Sequence, residues 1–430
     1  MVKRTNLHAS AAFTISGQSR STPRPNKRAT CTMIRVLFVD DDPLILAGLK
    51  RLMRRFAQDL QAEFVTSGLE ALTLLSQQPF DAIVSDMRMP GMDGAELLYR
   101  VRTEHPDMVR LILSGQSPQE SMFRALGPAH RFLSKPCRPT ELLAFLNRAL
   151  AIRDRLANQD LRSLVGTIDK LPSIPRVYAE LVEELHNPRG SLERVGRIVA
   201  QDVAITAKVL HFVNSSFFGV PQHIDSPSQA VCMLGIELVK SLVLTVGVFS
   251  QFDQRANAVI NLEQLVRHCI EVGESAHRIA RKLGGTAQEA EEALIAGMMH
   301  DIGKLVLATE KAEEYASVRR LTTYGDRPLW QGEEAWFGTT HADIGAYLLA
   351  LWGLPSSIVE AVAFHHQPSR VVDAAPVVVT AVHIANAVAN ELASDGKLPV
   401  QAFLDLEYLA VAGVDAEAYS AFAQPHHTVA

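Results

Sequence analysis

The sequence predicts a multidomain protein, a doubly wound α/β domain followed by an all-α domain. Three observations carry this expectation. From Met33 to Leu150, short apolar runs alternate with segments whose apolar residues recur at helical spacing, as in parallel strands joined by crossover helices. The runs end in acids, a hydroxyl and a lysine, and the carboxyl ends of parallel strands are where open α/β folds bind ligands. Beyond Leu161 the strand patterns vanish and the chain reads as helix after helix.

The first 32 residues hold six Lys/Arg and no Asp/Glu, with Ser, Thr and Pro scattered through them. Such a segment cannot build a core and is expected to be disordered. A basic arm for an acidic partner and a non-functional extension ahead of Met33 are both open, the second favoured. Arg35–Val39 is a strand ending in Asp40, Asp41 and Asp42. Helical spacing follows in Pro43–Phe56, Gly68–Gln78 and Asp93–Glu104. The most informative stretch is Asp81–Gly94, DAIVSDMRMPGMDG, where a short apolar strand delivers Asp86 into a Met/Pro/Gly-rich loop. Val109–Leu113 ends in Ser114, and Arg131–Ser134 ends in Lys135. Acids gathered at one sheet edge repel one another, and a divalent cation relieves this; Mg²⁺ favours carboxylates, water and phosphate oxygens. A carboxylate there can attack a phosphoryl group, with Mg²⁺ and the Lys135 ammonium neutralising charge on the equatorial oxygens.

In this order these segments resemble the receiver domain of two-component response regulators, a flavodoxin-like fold. The resemblance implies phosphorylation of Asp86 by a sensor histidine kinase. It also implies Mg²⁺ held by Asp40, Asp41, Asp86 and the Arg88 backbone carbonyl. Ser114 and Lys135 would bind the phosphoryl group, and Phe132 would be the aromatic that swings inward on activation.

Pro139–Leu164 reads as the last helix of this domain continuing outward as a polar connecting helix. Leu143, Leu146, Leu150, Leu156 and Leu161 stay roughly on one stripe, which leaves a dimerising coil and a linker lying on the next domain both open. The following segments resemble the HDOD domain, an all-α output module akin to the HD hydrolases. The matches are the Leu171-PSIP entry, Gln201-Asp202, Thr206-AKVL, the Val213–Gly219 loop and Ala230-VCMLGIE; Val203 stands where the family usually has proline. A helix-turn-helix reading of Ser191–Phe217 competes, but Lys208 and His211 are its only obvious phosphate-seeking groups. Phosphate contacts dominate DNA affinity, so no DNA binding is expected.

The second half of this module carries further chemistry. Thr286-AQ-Glu289 has capping-box spacing and opens a helix that runs on into His300-Asp301-Ile302-Gly303-Lys304. His268 lies near the start of an amphipathic helix, His341 opens another, and His365-His366 follow a third. Imidazoles and carboxylates from several helices can hold one or two transition metals. The order resembles the HD superfamily, particularly the HD-GYP phosphodiesterases. That implies His268, His300, Asp301, His341 and His365 or His366 as metal ligands, with Lys304 facing substrate. Two features depart from it. Asn386 stands where the superfamily has its last aspartate ligand, and Gln367-PSRVVDAAP replaces the Gly-Tyr-Pro loop.

With 430 residues, 47% hydrophobic and 21% charged, the chain suits a soluble protein of two or three globular units. A formal net charge of −5 gives no general attraction to nucleic acid or membrane. The longest apolar run, Ser241–Phe249, falls short of the ~20 residues a spanning helix needs and reads as a buried helix. Cys31, Cys137, Cys232 and Cys269 form no CxxC pair, which fits a reducing cytoplasm. Domains are expected at 33–150 (receiver), 151–165 (linker) and 166–405 (HDOD), with a tail at 406–430 whose two adjacent histidines read as solvated. The reading is a cytoplasmic regulator, not an enzyme, in which phosphorylated Asp86 controls an HDOD surface that binds a signalling protein. The alternative is a receiver-gated, metal-dependent phosphohydrolase acting on a cyclic dinucleotide such as cyclic di-GMP.

Overall fold

The computed structural model describes residues 33–56, 58, 60–114, 128–135, 138–168, 171–172, 180–181, 184–185, 190–214, 224–235, 239, 249–250, 259–323, 327–371, 376–393 and 403–414. The expected tail 1–32, Pro136 and Cys137, most of the Leu171-PSIP entry, residues 215–219 and 241–248, and the C-terminal histidines lie outside them.

Five parallel strands build the first domain: β1 (Ile34–Val39), β2 (Leu60–Val65), β3 (Ala82–Asp86), β4 (Val109–Ser114) and β5 (Arg131–Ser134), in the order β2-β1-β3-β4-β5. The strand order reverses between β1 and β3, and this topological switch point is where doubly wound sheets open a crevice. Register pairs Val39 with Ser85, so Asp40 and Asp86 leave the sheet side by side. Strands covered on both faces must be apolar throughout, and Val36–Val39, Ala82–Val84 and Leu111–Leu113 are buried accordingly. The helices start at local caps. Asp42 accepts from the Leu44 amide before α1 (Pro43–Met53), Ser67 caps α2 (Gly68–Gln77), and Asp93 caps α3 (Gly94–Glu104). A Cβ at Gly94 would run into the Asp86 carbonyl, so only glycine lets α3 begin against the strand end.

The connecting segment departs from expectation. Instead of one helix from Pro139 to Leu164 there are two, α4 (Pro139–Arg153) and α5 (Gln159–Thr167). The Asn158 side chain accepts from the Leu161 amide at 3.2 Å and caps a new N-terminus, which competes with continuing the first helix. Leu143, Leu146, Leu150, Leu156 and Leu161 are all buried within the chain. The stripe is therefore covered within this chain and is not available as a coiled-coil seam.

The second domain is helical: α6 (Leu192–Val199), α7 (Val203–Val213), α8 (Pro227–Leu234), α9 (Leu262–Lys282), α10 (Ala287–Met299), α11 (Ile302–Glu310), α12 (Ala312–Thr323), α13 (Leu329–Phe337), α14 (His341–Leu351), α15 (Ser356–Phe364), α16 (Val377–Ala393) and α17 (Leu406–Val411). A short parallel bridge, β6 (Leu171–Pro172) with β7 (Phe249–Ser250), stands where no strand was expected. Every residue of α14 is buried, as a helix apolar on all sides requires. α4 packs along one side of α14, while α11 and α15 pack on others. No helix among the described residues is long and apolar enough to cross a membrane.

Candidate functional site

At the carboxyl edge of the sheet, Lys135 is shared between two acids, with its Nζ 2.6 Å from Asp40 Oδ2 and 2.5 Å from Asp86 Oδ1. Burial disfavours the ammonium, but the bonds to Asp40 and Asp86 outweigh it and raise the Lys135 pKa. The Arg88 amide donates to Asp86 Oδ2 at 2.8 Å, and the Asp42 amide donates to Asp40 Oδ1 at 3.0 Å. Asp41 is exposed at the same edge, while Phe132 is buried and registers with Ile112. Ser114 closes β4 opposite Ser134. Asp40, Asp41 and Asp86 bring three carboxylates to one edge against the single Lys135 ammonium that bridges two of them. This donor set fits a divalent cation.

The second cluster is built where helices end. His300 and Asp301 do not continue one helix, as the sequence suggested; they form the junction between α10 and α11. The capping box at Thr286 and Glu289 does open α10. A Cβ at Gly303 would strike the backbone carbonyl of His341, so this glycine lets α11 meet the first turn of α14. Around Asp301 lie His300 Nε2 at 3.3 Å, His341 Nε2 at 3.2 Å, His268 Nε2 at 3.7 Å and His365 Nε2 at 4.0 Å. Lys304 Nζ donates to Asp301 Oδ2 at 2.6 Å. His366 Nε2 is 3.1 Å from His341 Nε2, and the Asn386 side chain bonds His268. Every histidine put forward as a metal ligand is in this cluster.

The outer nitrogens settle how the rings face. His300 Nδ1 donates to the Gly297 carbonyl at 2.7 Å, and His365 Nδ1 to the Val362 carbonyl at 2.8 Å. In the neutral rings Nε2 then carries a lone pair and points at the Asp301 carboxylate. His300 Nε2, His365 Nε2 and Asp301 Oδ1 are buried with no hydrogen-bond partner. Acceptors facing acceptors in a buried space are costly, and a cation among them would relieve it. Two three-residue groups have this metal-ligand spacing: His268, His300 and Asp301, and His341, His365 and His366. Burial holds the His365 and His366 pKa values well below the usual imidazole range and lowers His268 to about 4, so these rings are neutral at neutral pH. Burial alone would raise the Asp301 pKa, but the adjacent His300 and the Lys304 ammonium bonded to Oδ2 hold it well below the usual carboxylate range.

Family models match two stretches of the chain, the response regulator receiver domain over residues 36–147 and the HDOD domain over residues 171–368. The chain is a receiver–HDOD response regulator. Its curated relatives include an uncharacterized protein of Treponema pallidum (strain Nichols), 26% identical over 243 residues, which is 56% of this chain and 45% of that protein. The hydrogenase transcriptional regulatory protein HoxA of Bradyrhizobium diazoefficiens is 29% identical over 185 residues, 40% of this chain and 38% of that protein. The chain thus spans less than half the length of either. Among solved structures, the MmoQ response regulator from Methylococcus capsulatus str. Bath is similar at 20% identity and TM-score 0.46, over 60% of this chain and 99% of that one. An HDOD domain protein of unknown function from Geobacter sulfurreducens gives 22% identity and TM-score 0.36, over 64% and 93% of the two chains.

Sequence reasoning missed several residues of the HDOD cluster and of the receiver–HDOD joint. Glu333 is fully buried; its Oε2 accepts from the His341 amide at 2.9 Å and from His341 Nδ1 at 2.6 Å, and Oε1 accepts from the Tyr315 hydroxyl at 3.1 Å. Such a carboxylate orients a ligand histidine and raises its basicity, and Glu333 raises the His341 pKa against the opposing effect of burial. Trp330 stacks on His366 with centroids 5.9 Å apart. His383 Nδ1 donates to the His365 carbonyl at 2.8 Å. At the joint, Arg110 of β4 is buried and donates to the carbonyls of Pro128 (2.7 Å), Pro106 (3.2 Å), Met108 (3.0 Å) and, in α5, Gly166. Arg102 reaches the neighbouring Thr167 carbonyl at 2.7 Å.

Proposed function

We propose that Asp86 accepts a phosphoryl group from the phosphohistidine of a sensor histidine kinase, and that the resulting change controls a protein-binding HDOD output domain in the cytoplasm. The observation that carries this is Lys135 bridging Asp40 and Asp86 at the switch point of the sheet. In the transfer an Asp86 oxygen attacks phosphorus and the bond to the donor imidazole breaks. Lys135 and the Ser114 hydroxyl take the phosphoryl oxygens. Asp40, Asp41, Asp86 and the Arg88 carbonyl would hold Mg²⁺, which supplies charge neutralisation on those oxygens. The phosphoryl group need only bias two receiver conformations by a few kcal/mol. The partner is a signalling protein rather than DNA. Incubation of the full chain with Mg²⁺ and acetyl phosphate tests the first step. A phosphate-affinity gel shift is expected for the parent and not for Asp86→Asn; an equal shift in both sinks the assignment.

A second reading is favoured by the cluster around Asp301. A cavity of ≈ 600 Å³ opens onto Asp301 and His268 and is lined by Arg267, Lys304 and Arg319. With His268, His300, Asp301, His341, His365 and His366 as ligands and Asn386 beside them, a transition metal there would supply an activated water for phosphodiester hydrolysis. Cyclic dinucleotides are the first substrates to assay. The neutral Asn386 amide and the absent Gly-Tyr-Pro loop weigh towards binding rather than hydrolysis. Elemental mass spectrometry of the purified full chain, with Asp301→Ala as control, decides whether metal is held. Near-stoichiometric metal in the parent and not in the variant supports the site, and none in either removes the hydrolase reading.

A further inference from the structure

A further polar link to the helical domain is made by Arg155, in the turn between α4 and α5. Its Nε and Nη2 both donate to Asp343 Oδ1, at 3.0 and 2.7 Å. Its guanidinium also lies 4.4 Å over the Phe364 ring. Asp343 Oδ2 accepts from the Thr340 hydroxyl at 2.9 Å, and the Asp343 amide donates back to that hydroxyl at 3.2 Å. This closes the first turn of α14, whose first residue is His341. Phe364 is the last residue of α15 and immediately precedes His365 and His366. One side chain from the linker therefore touches two of the helix ends that deliver inward-facing histidines. At the other end of α14, Arg148 of α4 donates to the Leu354 carbonyl at 3.0 Å. The helix carrying His341 is thus gripped at both ends by the helix that closes the receiver and the turn that follows it.

We propose that Arg155 is a positioning residue for the histidine–aspartate cluster. Docking of α4 fixes the first turn of α14 and the end of α15 through Arg155, and so sets how His341 and His365 face Asp301. A shift of α4 on phosphorylation would then be felt at the cluster through one ion pair and one ring contact. This rests on the cluster being the working site of the HDOD domain, so the test needs a readout that does not depend on metal.

The test uses full-length protein labelled with ¹³C-histidine, in which the His341 and His365 ring resonances are assigned through His341→Gln and His365→Gln. Arg155→Ala is compared with Arg155→Lys and with the charge exchange Arg155→Asp/Asp343→Arg. Thermal unfolding verifies that each is folded. Co²⁺ is titrated in parallel by visible absorption. The Ala variant is expected to move both ring resonances and to weaken Co²⁺ about 10-fold, the lower end of what removing an outer support of a ligand costs. Lys or the exchange should restore most of both. Beryllofluoride with Mg²⁺ should shift the same resonances in the parent and not in Arg155→Ala. Unmoved ring resonances in a folded Ala variant overturn the proposal, even if its melting temperature falls, since a purely structural contact would do only that. If Co²⁺ binds neither protein, the metal reading fails, while the ring resonances still decide the role of Arg155.

Discussion

Glu333 offers a sharp test of the cluster's outer support. Three buried donors converge on its carboxylate: the His341 amide, His341 Nδ1 and the Tyr315 hydroxyl. Bonds to a charged group contribute about 1.5–3 kcal/mol each, so three set a gross loss of roughly 5–9 kcal/mol on truncation to Ala. Relief from burying the carboxylate, and water entering the vacated space, offset part of this. A net loss of about 3–5 kcal/mol is expected, the range for removing one member of a buried charged pair. Glu333→Gln keeps the volume, keeps an oxygen for both His341 donors, and can donate its amide to the Tyr315 oxygen, so about 1–2 kcal/mol is expected. The assay is urea unfolding. All three tryptophans, Trp330, Trp336 and Trp352, lie in the helical domain, so their emission follows its transition. An Ala variant within ~1 kcal/mol of the parent, or a Gln variant as unstable as Ala, would refute the reasoning.

Three further outcomes are expected. Gly303→Ala forces α11 off α14 and should cost about 1–3 kcal/mol or more by overpacking, with Co²⁺ binding lost; a parent-like melting temperature argues against that close approach. Burial, helped by Lys208, lowers the His211 pKa to about 3 against the bond to the Trp352 carbonyl. Only the unfolded chain then takes up this proton below its own pKa near 6.5, so stability is full above that pH. It should fall by about 1.4 kcal/mol per pH unit below it, a slope that urea titrations of His211→Asn should show to be shallower. Asp301→Ala should abolish metal retention while leaving Asp86 phosphorylation intact, and loss of both would mean that the variant disturbs more than the cluster.

The parts of this molecule that could be read from sequence are those where backbone geometry forces residues together. Asp40, Asp86 and Lys135 follow parallel strands, and strand ends in one sheet share an edge. The histidines could be read because imidazoles in mostly apolar helices stand out. Glu333 could not, since Glu333-Glu334 looks like an ordinary solvated pair and only the packing of α13 buries one of them. Arg155 was hidden in the same way within Arg153-Asp154-Arg155. The break between α4 and α5 was missed because apolar spacing runs through it, while its cause is one side-chain cap at Asn158. Arg110 read as a strand residue, and nothing local announces a guanidinium whose partners lie as far along the chain as Gly166.

That arginine has a consequence for anyone recombining these modules. Arg110 and Arg102 hold α5 by main-chain carbonyls of Gly166 and Thr167, not by side chains. The joint is therefore exacting about the phase of α5, and about its residues at Ser163, whose hydroxyl donates to Asp107, and at Gly166, where a Cβ would strike the Pro106 carbonyl. Adding or deleting one residue of α5 between Gln159 and Gly166 would rotate the helix end by about 100° and carry both carbonyls away from the guanidinium groups. A chimera that grafts a foreign receiver onto this HDOD domain should keep that residue count fixed and can let the exposed linker sequence drift.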